Sequence, residues 1–227
     1  MNMKQTILEL KDVWKTYQIG KIEVNAIKKA NLKIYRGEFV IIIGSSGSGK
    51  STAMNLIGCL DLPSKGAVLF DGIDITSLSK SKIAKIRGRK IGFVFQQFNL
   101  IPTLNSLENV MLPMEFQEFE KCEERARKLL ELVGLKDRIK HKPKELSGGQ
   151  AQRVSIARSL ANNPEIILAD EPTGNLDTKT GKYIINFLYQ LHKKEGKTLI
   201  IVTHDMTLVS KMKKNARIVK LQDGEII

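Results

Sequence analysis

Nine residues constrain this chain more than any others: GSSGSGKST, Gly44 to Thr52. They follow the aliphatic run FVIII at 39–43 and lead into KSTAMNLIGCL, which reads as a helix. A strand that breaks at a glycine-rich bend and resumes as a helix is the setting in which GxxxxGK[ST] cradles phosphate. Gly44, Gly47 and Gly49 let the backbone bend so that several N–H groups converge on phosphate oxygens, and the helix N-terminus adds positive potential. Ser45, Ser46, Ser48 and Thr52 belong to the same cradle. Lys50 is placed to reach the outer phosphates, and the Ser51 hydroxyl to ligate magnesium.

A second stretch, ILADEPTGNLD at 167–177, raises its own question. The apolar run Ile166 to Ala169 ends on two adjacent acids, Asp170 and Glu171, and Pro172 stops the strand. Acids at strand ends are common turn residues, so the pair means chemistry only beside something that brings a metal. A nucleotide on the phosphate loop does so. Asp170 is then expected to hold the magnesium, through water, while Glu171 polarises the attacking water.

The third stretch is LSGGQ at 146–150, ahead of AQRVSIARSL, in which Val154, Ala157 and Ala161 suit one helix face. Ser147 could simply cap that helix. The segment also repeats the recipe of the phosphate loop, with small residues Gly148 and Gly149, then Gln150, exposing N–H groups at a helix start.

The rest of the chain bounds these motifs. FVIII is the longest aliphatic run of the 227 residues, and MNMKQTILELKDV carries charges throughout, so neither a membrane span nor a signal peptide is expected. Cys59 and Cys122 lie far apart and lack CxxC spacing, so neither a disulfide framework nor a zinc site is suggested, and a reducing cytosol fits. The net charge of +13 comes from lysines scattered along the chain and reads as a solvated surface. KSKIAKIRGRK at 80–90 concentrates six basic residues with no acid and no aromatic. Without stacking platforms it reads as a solvated helix or a surface facing phospholipid rather than a single-strand binding site.

No repeat, low-complexity tract or linker divides the chain, so one continuous unit over 1–227 is expected. ILELKDV, NLKIYR and EFVIIIG read as opening strands, GAVLFDG and IGFVFQ as short ones, and 105–163 as mostly helical, with Ala126, Leu129, Leu130 and Val133 at helical spacing and Gly134 as a stop. EIILAD, KTLIIVTH and ARIVKL resemble buried strands, with a helix around 178–194 between the first two. That alternation predicts α/β with a largely parallel sheet.

GSSGSGKST, LSGGQ and IILADE in that order closely resemble the nucleotide-binding subunits of ABC transporters, over essentially the whole chain; LSGGQ separates that family from other P-loop ATPases. The resemblance implies an α/β fold with a RecA-like P-loop core, an N-terminal antiparallel β-subdomain and a helical signature subdomain inserted at about 100–163. It implies ATP and Mg2+ as ligands, and Glu171, His204 and Lys50 as the catalytic set. Tyr17 in VWKTYQIG matches the aromatic that stacks on adenine. Gln96 in VFQQFNL matches the Q-loop residue that contacts magnesium and relays to the membrane subunit, Asp177 in GNLD the D-loop that crosses a dimer interface, and His204 in IVTHD the switch histidine at the γ-phosphate.

Two copies are expected to sandwich two ATP molecules, each between one copy's phosphate loop and the other's LSGGQ. A separate transmembrane permease would dock near the Q-loop, placing the chain on the cytoplasmic side of the membrane, with no nucleic acid partner. FVFQQFNLIP and LADEPTGNLD resemble the branch serving lipoprotein release and macrolide or peptide export. Ala151 departs from the second glutamine that commonly follows LSGGQ, and a C-terminal regulatory extension of the sugar-importer sort is not expected. The rival reading is a chromosome-maintenance or DNA-repair ATPase. Such proteins place long coiled coils between phosphate loop and signature, whereas that interval here lacks sustained heptads, and a tandem translation-factor ATPase would need a second phosphate loop.

Overall fold

A computed structural model describes residues 5–227; the first four residues of the opening MNMKQTILELKDV, in which no signal peptide was expected, lie outside the described residues. Two sheets organise the chain. The first is antiparallel, built from β1 (Thr6–Ile19), β2 (Ile22–Tyr35), β4 (Lys65–Phe70) and β5 (Ile73–Asp74) in the order β2-β1-β4-β5. The second contains β3 (Phe39–Ile43), β6 (Ile91–Val94), β7 (Ile166–Asp170), β8 (Thr198–Thr203), β9 (Arg217–Gln222) and β10 (Glu225–Ile226), in the order β10-β9-β3-β8-β7-β6. All its pairings are parallel except β9 with β10.

The central parallel strands β3, β7 and β8 are buried on both faces, as their nearly unbroken aliphatic content demands. Alternate residues of β3 enter different cores. Val40 and Ile42 pack under the antiparallel sheet and α1 (Lys50–Ile57), while Phe39 and Ile41 pack with the helices on the other side. Those helices are α3 (Ser106–Glu115), α4 (Cys122–Leu132), α5 (Gly148–Ser159), α6 (Thr178–Glu195) and α7 (Met206–Met212). On α6, Ile184, Ile185, Leu188 and Leu191 form the buried stripe; each fully buried side chain of this kind contributes about 2 kcal/mol.

The helical stretch expected near 100–163 holds α3, α4 and α5, and α2 (Lys80–Lys90) precedes β6. The opening strands run further than the sequence pattern suggests: ILELKDV and NLKIYR are only parts of two 14-residue strands. Register shifts at Leu10/Val13 and Val13/Lys15, with Asp12 at φ 45° and Lys29 at φ 46°, break the alternation that would have revealed their length.

An ion cluster ties the two sheets. Arg36, just after β2, pairs with Asp71 at the β4–β5 turn and with Glu165 before β7, and Lys90 at the end of α2 also pairs with Glu165. Burial pushes the Glu165 carboxyl up, but the hydrogen bonds from Lys90 and Arg36 outweigh it and hold the group below the usual carboxylate range. On the β6 edge, a side chain at Gly92 would run into the Ser159 carbonyl at the end of α5. The helix therefore rests directly on the strand.

Candidate functional site

The phosphate loop joins β3 to α1. Gly47 and Gly49 have φ of 78° and 99°, a region that a β-carbon disfavours. A side chain at Gly49 would also meet the Ala26 carbonyl of β2, whereas nothing lies within 4 Å of one at Gly47. The loop is thus backed by β2 on one side and open on the other. Its rear is tied to the C-terminal hairpin by Gly224 N–H donating to the Ser48 carbonyl at 3.0 Å.

Gly49 caps α1 with no side-chain hydrogen bond, and the first turn carries no acid, so its N–H groups remain aimed at the loop. The Lys50 ammonium folds back over the bend, donating to the carbonyls of Gly44 and Ser45 at 2.8 Å each. The Ser48 hydroxyl is buried with no partner among the described residues. Ser51 and Thr52 continue into α1.

Asp170 ends β7, in parallel register with Val202 of β8. Burial raises its pKa, the Glu171 charge raises it further, and the Lys50 charge acts in the opposite direction. Glu171 turns the chain with φ 42°. Its carboxylate accepts from the Thr203 hydroxyl at 2.8 Å and from the His204 main-chain N–H at 2.9 Å, and the His204 imidazole Nδ1 lies against the same oxygen. The glutamate is largely buried; the histidine is exposed.

Ser147 caps α5 reciprocally: Gln150 N–H donates to its hydroxyl at 3.3 Å, and its own N–H donates to the Gln150 side-chain oxygen at 2.9 Å. The capping expected of it is present. Gly148 packs near Phe98, Asn175 and Leu176, and a β-carbon on Gly149 would lie 2.6 Å from the Thr180 methyl. None of these neighbours belongs to the phosphate loop, so the two anion-receiving elements present themselves separately.

Asp177 caps α6, accepting from the N–H groups of Lys179 and Thr180 at 3.0 Å each; the Thr180 side chain foremost keeps its carboxyl below the usual range. Gln96, two residues beyond β6, sits against Gly174, and Asn175 donates to its carbonyl at 3.0 Å. Tyr17 lies on β1 opposite Val24, with the Lys15 ammonium 5.1 Å from its ring centre and its hydroxyl donating to Asp61 at 3.1 Å.

The structure therefore brings Glu171 onto His204 and Gln96 beside Gly174. Several supporting residues were not anticipated. Thr203 holds Glu171. Gln152, fully buried on α5, donates to the Pro172 carbonyl at 2.9 Å and so anchors the turn after the acids. Arg158 holds the loop after β6 through the carbonyls of Phe98 and Asn99 at 2.8 and 2.6 Å. Only Thr203 carried a sequence signal, its place before the histidine in IVTHD.

The family model described as ABC transporter matches residues 27–174, which span the phosphate loop, the signature and both acids. The chain belongs to the ABC transporter family. Over 222 residues this ABC transporter chain is 52% identical to an uncharacterized ABC transporter ATP-binding protein of Thermotoga maritima, covering 97% of the chain and 93% of that relative. It is 48% identical over 220 residues to a macrolide export ATP-binding/permease protein, MacB, of Bdellovibrio bacteriovorus, covering 97% of the chain but 33% of that longer protein. Its fold is that of the ATP-binding cassette MJ0796 of Methanocaldococcus jannaschii, solved as a post-hydrolysis dimer bound to ADP and Pi. The TM-score is 0.88 at 50% identity, over 97% of this chain and 96% of that one.

Proposed function

We propose that this chain, one ABC ATPase unit over 1–227, hydrolyses ATP as one of two identical copies and so powers a separate membrane permease of the export type, from the cytoplasmic side. The observation that carries the reading is the Glu171 carboxylate, fixed by Thr203 and the His204 main chain one residue beyond Asp170. Two neighbouring acids thereby have different surroundings and can do different work.

In this reading the N–H groups of Gly44 to Gly49 and the first turn of α1 receive the phosphates, and Lys50 exchanges two carbonyls for outer phosphate oxygens. Glu171 accepts the proton of the attacking water, and His204 steers the terminal phosphate from the exposed side. Tyr17 offers its ring to the base.

Ser51, Asp170 and Gln96 form a set of hard oxygen donors that suits magnesium. The fit is supported by Asp170, whose carboxylate accepts no hydrogen bond from the described residues and is raised by burial. Bound there, magnesium would neutralise charge on the phosphates.

The neighbours of Gly148 and Gly149 in the signature segment are Phe98, Asn175, Leu176 and Thr180, none of them in the phosphate loop, which suits a site completed by a second copy; the cassette MJ0796 was solved as a dimer bound to ADP and Pi. Asp177 stands at the start of α6 beside it. No helix among the described residues is long and apolar enough to cross a membrane, and the MacB relatives carry ATP-binding and permease parts in one protein. A permease docking near Gln96 and the helices α3 to α5 would supply the missing part here.

The test is phosphate release from MgATP by the purified chain across a dilution series. Turnover per chain should rise with protein concentration if two copies complete each site. Turnover proportional to concentration throughout would sink the paired mechanism, and DNA-stimulated turnover would favour the rival reading.

A further inference from the structure

Tyr17 is half-buried on β1, and the group that holds its far end comes from 44 residues along the chain: its hydroxyl donates to Asp61 Oδ2 at 3.1 Å. The other carboxylate oxygen of Asp61 accepts from the Lys15 ammonium at 2.7 Å and from the Leu62 N–H at 2.8 Å. Lys15 also donates to the Leu62 carbonyl at 2.8 Å, and its ammonium stands 5.1 Å from the centre of the Tyr17 ring. One half-buried acid thus holds both the hydroxyl and the cation beside the ring. Burial pushes the Asp61 carboxyl up, but the hydrogen bonds from Lys15, Leu62 and Tyr17 outweigh it and hold the group below the usual carboxylate range. It is an ionised acceptor at neutral pH.

Asp61 is in turn fixed by α1. The N–H groups of Leu60 and Asp61 both donate to the Asn55 carbonyl of that helix, at 2.8 and 3.2 Å. Beyond them the chain runs beside β1: the Ser64 N–H donates to the Trp14 carbonyl at 2.7 Å, and the Thr16 N–H to the Ser64 hydroxyl at 3.0 Å. These ties do not involve the Tyr17 hydroxyl and remain when it is removed. What the hydroxyl bond adds is a fixed ring. A half-open tyrosine has several staggered rotamers open to it unless its far end is held, and freezing one as a ligand arrives lowers affinity about threefold to tenfold.

The geometry points to Asp61 as a positioning residue that holds the Tyr17 ring ready for the nucleotide base, acting through the tyrosine hydroxyl rather than by contact with the nucleotide. The inference rests on the reading of Tyr17 as the residue that receives the base. It deepens that reading in one respect: the ring for the base and the cradle for the phosphates share a helix, since α1 opens at the phosphate loop and its far end carries Asp61. A ring held in advance gives up no freedom when the base docks. The benefit therefore belongs to ligands that have a base.

Isothermal titration of the purified full chain with MgATP, and with magnesium tripolyphosphate, which has the chain of phosphates and no base, tests it. Tyr17→Ala should weaken MgATP binding about tenfold and leave the affinity for tripolyphosphate unchanged. Tyr17→Phe, which keeps the ring and removes the hydroxyl, and Asp61→Ala should each weaken MgATP binding about threefold to tenfold, again without effect on tripolyphosphate. In a Tyr17→Ala background, Asp61→Ala should cost nothing more, because no ring is left to position. Equal loss of MgATP and tripolyphosphate affinity in Asp61→Ala would make the acid a staple of the fold and overturn the assignment, as would a further loss of MgATP affinity in the Tyr17→Ala background. Undiminished MgATP affinity in Tyr17→Phe would overturn it as well, and that variant leaves the Lys15–Asp61 pair in place, so it remains informative if removal of the acid unfolds the junction. Tyr17→Ala with the MgATP affinity of the unaltered chain would instead refute the base-receiving role of Tyr17, and this inference with it.

Discussion

Glu171 and His204 lie 33 residues apart and meet at one oxygen: the His204 main-chain N–H donates to Glu171 Oε1 at 2.9 Å, and the imidazole Nδ1 contacts that same atom. With Thr203 on the other oxygen, the carboxylate is oriented by β8 rather than by its own strand.

Glu171→Gln keeps an acceptor for Thr203 and the His204 N–H but removes the carboxylate proposed as the base. Turnover should fall by about 10²- to 10⁴-fold, while MgATP still binds and stays. Trapped ATP should then hold two chains together. Light scattering after size exclusion should show an ATP-dependent shift from 25.5 kDa to twice that mass. A variant that stays monomeric at saturating ATP, or that hydrolyses as fast as the unaltered chain, would contradict the roles given to Glu171 and to pairing, once dependence on a permease is excluded.

Lys50→Ala removes the cation now shared between Gly44 and Ser45. Affinity for a fluorescent ATP analogue should drop about a hundredfold, the equivalent of one or two charge-assisted hydrogen bonds. Unchanged affinity with unchanged turnover would remove the phosphate-loop assignment.

Ser147→Arg separates binding from hydrolysis. The isolated chain should bind ATP normally, because the contacts around Ser147 and its two glycines include no phosphate-loop residue, yet turnover should fall at least about a hundredfold. Loss of the α5 cap should cost about 1 kcal/mol, seen as a melting point lower by about 2–4 °C. If turnover persists at the original level, the signature plays no part in hydrolysis.

Asp170→Asn exposes a trade between stability and function. Burial first, and the neighbouring Glu171 second, raise the Asp170 pKa above its unfolded value. The folded state therefore binds this proton more readily, so the charge opposes folding above the folded pKa, and that penalty is relieved as pH falls through it. Without nucleotide the amide variant should melt higher at neutral pH by about 2 °C and lose the difference on acidification. Magnesium-dependent ATP binding should weaken at the same time. A variant that melts lower at neutral pH would show that the carboxylate makes a stabilising contact.

What could be read in advance was local. The phosphate loop, the strand ending at Asp170 and the helix starting at Ser147 each depend on residues within a few positions, so their chemistry is written consecutively. The meeting of Glu171 with Thr203 and His204 depends on the parallel register that sets Asp170 opposite Val202, and no short window contains it. Gln152 escaped notice because a glutamine on an amphipathic helix is expected to face water, yet it is fully buried and bonded to Pro172. The full length of β1 and β2 was hidden by bulges, which shift side chains between faces and erase the period of two. The pair β9 and β10 closes with two residues of β10, too few to leave a pattern.

Gly92 bears on how force travels. With no side chain between the β6 backbone and the Ser159 carbonyl, the end of α5 is seated on the strand that leads to Gln96, while the opposite end of the same helix begins at Ser147. Three turns of helix thus act as a connecting rod with one bearing at each end. A tilt at Ser147 would therefore press on the strand that leads to Gln96. A single added methyl group at position 92 would act as a shim, leaving both ends chemically intact while putting the linkage out of alignment.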